Sequence, residues 1–73
     1  MTLRELREGR FMTQTEIAAF CAVTVTTVSN WERGEQQPRI VLIRKLAELF
    51  QTTPQDIQQA LVETAQQAQS NKE

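Results

Sequence analysis

Seventy-three residues, 40% of them apolar, predict one small domain with a single core. With no His and one Cys, no His/Cys metal cluster, no Ser-His or Cys-His catalytic pair and no internal disulfide can be assembled. No apolar run approaches the roughly 20 residues that span a bilayer, and Met1–Glu5 carries no apolar leader. The expectation is a cytoplasmic protein that is not an enzyme, needs no metal or cofactor and makes no membrane contact. The net charge of −1 conceals an asymmetry. Residues 1–54 hold seven cations against six acids, and residues 55–73 hold one cation against three acids. A slightly basic body with an acidic end is too balanced to indicate nucleic-acid binding from charge alone.

The helix signals come in chain order. Thr2-Leu3-Arg4-Glu5 and Thr13-Gln14-Thr15-Glu16 are capping-box patterns, in which hydroxyl and carboxylate each satisfy an orphan backbone N–H. Leu3 and Leu6 share a face of the first helix; Ile17, Ala18 and Cys21 line the second. Thr24 caps a third helix running to about Arg33, with Val28 and Trp31 inward. Pro38 marks the start of a fourth, striped by Ile40, Ile43, Leu46, Ala47 and Phe50, with Arg44, Lys45 and Glu48 opposite. Thr53-Pro54 opens a fifth, with Asp56 in its first turn and a stripe of Ile57, Ala60, Leu61, Thr64, Ala65 and Ala68. Gly9 and Gly34 are expected at helix ends, where positive φ suits glycine. The β-branched run from Val23 to Val28 is the one strand-like segment, and it has no second strand to pair with. The prediction is an all-α domain of five helices over residues 1–69, with residues 70–73 a disordered tail.

Only about three residues separate the second helix from Thr24, and Ala18 is small where the two helices would meet. That spacing is a helix-turn-helix. The segment TQTEIAAFCAVTVTTVSNWERGEQQPR, with LRELRE before it, IRKLAELF after it and TTPQDIQQAL beyond, resembles the Cro/cI-type (XRE-like) DNA-binding family over about sixty residues. Thr13-Gln14, Ile17-Ala18, Val28-Ser29 and Trp31-Glu32-Arg33-Gly34 carry the resemblance most specifically. It implies a lambda-repressor-like fold whose third helix enters the major groove of double-stranded DNA.

Carried over by position, the resemblance puts Val25, Thr26 and Asn30 at base edges and Gln14, Thr24, Thr27 and Arg33 on the DNA backbone. The chemistry fits, since Asn can bond adenine at two points, Thr can donate or accept, and Val offers a surface to a thymine methyl. The plainer reading of Thr24–Thr27 is a capped, solvated first turn. The resemblance also makes Arg7 and Glu32 a structural ion pair between the first and third helices; otherwise they are two solvated charges. Trp31 and Cys21 read as core rather than as a base-stacking platform and a redox thiol.

The sequence departs from the family at Ala22 and Phe11, where glycine is common, and at Arg39, where Ser usually caps the fourth helix. Glu35 stands where Lys is frequent, and Phe20, Val41 and Leu42 are apolar where the family is usually polar. The leading expectation is a transcriptional regulator, acting as a repressor and as a homodimer joined through Ile57, Leu61 and Ala65. The alternative is an antitoxin-like module that binds a protein partner through exposed apolar residues, with weak or autoregulatory DNA binding.

Overall fold

In a computed structural model, which describes residues 1–70 and side chains as far as Gln67, the chain forms five helices. They are α1 (Leu3–Gly9), α2 (Gln14–Cys21), α3 (Val25–Glu32), α4 (Ile40–Leu49) and α5 (Pro54–Ser70). No strand occurs among the described residues, and Val25–Val28 is helical despite its β-branched composition. The predicted tail lies outside the described residues except for Ser70, which closes α5; the side chain of Ala68 lies outside them as well.

The helix starts follow their cap chemistry. Thr2 and Thr13 accept from Glu5 N and Glu16 N, and the two carboxylates accept in return from Thr2 N and Thr13 N at 2.7 and 2.8 Å. Thr24 accepts from Thr27 N at 3.1 Å, and Thr53 accepts from Asp56 N at 3.1 Å. Arg39 precedes α4 without a side-chain cap bond, so α4 starts two residues after the buried Pro38.

The helix ends depart from the glycine expectation. Each of α1 to α4 closes in a Schellman motif, with a six-residue bond returning to the last turn: Met12 N to Arg7 O, Val23 N to Ala18 O, Glu35 N to Asn30 O and Thr52 N to Ala47 O. The left-handed residues of these motifs are Phe11, Ala22, Gly34 and Gln51, with φ of 55°, 57°, 75° and 56°. Gly9 sits inside the last turn of α1, two residues short of the position that needs positive φ.

The core gathers Leu3, Ile17, Val28, Trp31, Leu46 and Phe50 with Ile57 and Leu61. α2 packs on α3 and α4, and α5 packs on α4 and α1. The buried Thr64 hydroxyl accepts from Leu3 N at 3.0 Å and donates to the Ala60 carbonyl at 2.8 Å, tying the start of α1 to α5. One expectation is corrected here. Ile40 is 70% exposed: it is the first residue of α4, about two turns before the buried Ala47 that shares its side of the helix. Ile57 and Leu61 are 0% and 3% exposed within the chain's own core. Ala65 is half-buried at the edge of that stripe.

Candidate nucleic-acid interface

The turn between α2 and α3 is made by Ala22, whose left-handed backbone reverses the chain at once. Thr24 then starts α3. Its hydroxyl and that of Thr27 are 2.9 Å apart, so the first turn of α3 is closed by its own side chains.

Beyond that cap, α3 shows two outward ridges at helical spacing, exposed at Val25, Thr26 and Arg33 and half-buried at Ser29 and Asn30. One runs Val25–Ser29–Arg33 and the other runs through Thr26 and Asn30. Val25 is 41% exposed, and Val28 and Trp31 point the opposite way into the core. The Trp31 indole N–H has no hydrogen-bond partner among the described residues. The side chains at the end of α3 are interlocked. Arg33 donates from Nε to Glu35 at 2.8 Å, from Nη1 to Ser29 Oγ at 3.0 Å and from Nη2 to Asn30 Oδ1 at 2.5 Å. Asn30 Nδ2 reaches Gln36 Oε1 at 3.4 Å.

Beside this face, Arg7 and Glu32 form a two-point ion pair, with Nε to Oε2 at 2.6 Å and Nη2 to Oε1 at 3.3 Å. The side chains are only 13% and 5% exposed. Arg7 Nη1 also donates to the Met12 carbonyl at 2.9 Å, and Gln14 Nε2 donates to Glu32 Oε1 at 2.9 Å. Gln14 therefore spends one amide N–H on the ion pair and keeps the second for another acceptor. Arg4, Arg7, Gln14, Ser29, Glu32 and Arg33 line a polar cleft of about 480 Å³.

The side chains of Arg39, Arg44 and Lys45 form no ion pair or hydrogen bond among the described residues. All three stand on α4 or its N-cap, and Arg39 lines the same groove as Thr27 and Gln36. Burial pushes the Cys21 thiol above its ordinary pKa, the reverse of what a reactive thiolate needs. Among the described residues no group of three metal-ligating side chains is gathered, and no helix is long and apolar enough to cross a membrane.

Ser29, Gln36 and Arg39 are the members of this surface that sequence reasoning did not assign to it. Ser29 was legible from spacing alone, since it lies four residues from both Val25 and Arg33. Gln36 had no such signal, because its position depends on the Gly34 turn that folds the loop back along α3.

With that geometry in view, the protein is of the helix-turn-helix class, an all-α lambda-repressor-like domain. A family model described as helix-turn-helix matches residues 3–57. The chain belongs to the Cro/cI-type (XRE-like) helix-turn-helix family, whose members are DNA-binding regulators. No curated protein and no solved structure gave a match.

Proposed function

We propose that the protein is a sequence-specific regulator of transcription that lays α3 in the major groove of double-stranded DNA. It acts in the cytoplasm, as a repressor, by occupying its site. The observation that carries this reading is the exposed face of α3, where Thr26 and Asn30 share one ridge and Val25 stands on the next, all clear of the core. Thr26 and Asn30 bring donors and acceptors to base edges, and Val25 brings an apolar surface. Gln14, Thr24 and Thr27 stand at the starts of α2 and α3, where free backbone N–H groups add to their side chains in holding phosphates. Arg39, its side chain without a partner among the described residues and beside Thr27, supplies a positive charge at the edge of the same surface.

One such module offers few base contacts, so the protein binds as a homodimer over half-sites about 10 bp apart. With Ile57 and Leu61 buried, Ala65 and the exposed Val62 are what α5 has left for a subunit contact. A second reading, an antitoxin-like module with a protein partner, draws on the exposed apolar side chains, Phe11 at 95% and Ile40 and Val41 above half. A mobility-shift titration on genomic fragments at several salt concentrations separates the two. A regulator selects one fragment, and its affinity falls steeply with salt. Weak binding to every fragment alike would favour the second reading.

A further inference from the structure

Arg33 caps the end of α3, and its three side-chain bonds all run to residues around that helix end. Glu35 holds Nε from beyond the helix end, Ser29 holds Nη1 from one turn back, and Nη2 meets Asn30 Oδ1. A guanidinium has only donors, so it donates to the oxygen end of the Asn30 carboxamide and repels the NH₂ end. Gln36 Oε1 lies toward the NH₂ end and agrees with that orientation.

Resting on the reading of Asn30 as a base contact, we infer that Arg33 is a positioning residue that sets the flip of the Asn30 carboxamide and so its choice of base. The count of hydrogen-bonding sites supports this. Asn30 Oδ1 keeps a second lone pair after accepting from Arg33, and Nδ2 keeps a second hydrogen after reaching Gln36. One acceptor and one donor remain side by side, the pattern that adenine N6 and N7 require. Guanine offers two acceptors there, N7 and O6, so an Asn30 held in this flip sets oxygen against oxygen at guanine. Freed from Arg33, the carboxamide can swing its oxygen away from the base and present the NH₂ alone to N7 and O6, and the penalty at guanine shrinks. Three of the five guanidinium N–H groups serve this arrangement, and Glu35 offsets the positive charge. Arg33 is therefore poorly placed to serve first as a phosphate contact.

The test uses the full chain and a duplex that it selects itself from a randomised library. Asn30→Ala first locates the position where the preference for adenine over guanine falls, on the order of tenfold or more. At that position alone, Arg33→Ala and Arg33→Lys each lose roughly tenfold of the preference, with the salt dependence of affinity unchanged. Lys keeps the charge but not the planar fork. Adding Arg33→Ala to Asn30→Ala costs no further preference. The inference is overturned if Arg33→Lys behaves as wild type while Arg33→Ala weakens all duplexes evenly and makes the salt slope shallower by about 1, the mark of a phosphate contact. An Asn30→Ala protein with every base preference intact would instead remove Asn30 as a reader, and the positioning role with it.

Discussion

Arg7 holds Glu32 through two N–H···O contacts across 25 residues of sequence, in a setting where both side chains are almost closed to solvent. The Glu32 carboxylate also accepts from Gln14, so one acid at the end of α3 ties that helix to both α1 and α2. Removing either member of such a pair leaves the other charge buried and uncompensated. Arg7→Ala and Glu32→Ala are each expected to lower stability by about 3–5 kcal/mol. Urea unfolding followed by circular dichroism measures this directly. Losses inside the roughly 0.5 kcal/mol range of surface substitutions would show that solvent already screens the pair. The double variant should lose less than the sum of the two single losses, because the second change removes a charge that the first had stranded.

Three of the four Schellman turns use residues with a Cβ in the left-handed region, which costs about 1–2 kcal/mol relative to an unstrained backbone. Phe11 is the clearest case, since it is 95% exposed and has little packing to lose. Phe11→Gly is expected to raise stability by about 1 kcal/mol, and Ala22→Gly by a similar amount. Thermal unfolding of each variant checks this. An unchanged or lower midpoint for Phe11→Gly would mean that the extra freedom of glycine in the unfolded chain outweighs the strain relieved.

Those turns also mark where the sequence was legible and where it was not. Thr2, Thr13, Thr24 and Thr53 announce their helices because a cap is a local arrangement, closed within four residues by side chains visible in the sequence. Helix ends are bonded through backbone alone, so any residue can stand at the left-handed position when the core requires it. Gly34 was legible and Gln51 was not. On the candidate site, the exposed face of α3 followed from helical spacing, while the bonds linking Asn30, Arg33 and Gln36 depend on how the loop after Gly34 folds back. The α5 stripe shows a different limit. Its apolar spacing is genuine, but a stripe does not state what covers it, and here α1 and α4 of the same chain do.

Cys21 links burial to pH. Its thiol pKa is raised by burial within the core, partly offset by the Lys45 charge, so the unfolded chain gives up this proton first. The contribution to stability is whole below the ordinary thiol value of 9.0 and is lost as pH rises through the higher folded value. The sequence contains neither Tyr nor His, which leaves few other side chains to titrate in that window. Stability should therefore fall above pH 9, and Cys21→Ala, though less stable overall, should show a flatter profile there. Denaturant midpoints between pH 7 and 10 compare the two proteins. Parallel profiles would show that Cys21 does not carry the alkaline loss.

Val25 tests the proposed readout at its least polar point. It stands in the first turn of α3, 41% exposed, on the ridge that continues through Ser29 to Arg33. Valine has neither donor nor acceptor, so whatever base preference it confers must come from packing against the C5-methyl of thymine. Replacing the contacted thymine by uracil removes that methyl and leaves every hydrogen-bonding group in place. Wild-type affinity should then fall by the worth of one buried methyl, on the order of 1 kcal/mol. Val25→Ala has withdrawn its side chain from the contact, so thymine and uracil duplexes should bind it nearly alike. Measuring both duplexes against both proteins closes the cycle and cancels any general effect of the substitution on folding or on backbone contacts. Equal uracil penalties in the two proteins would show that Val25 touches only sugar and phosphate, and base choice would then rest with Thr26 and Asn30.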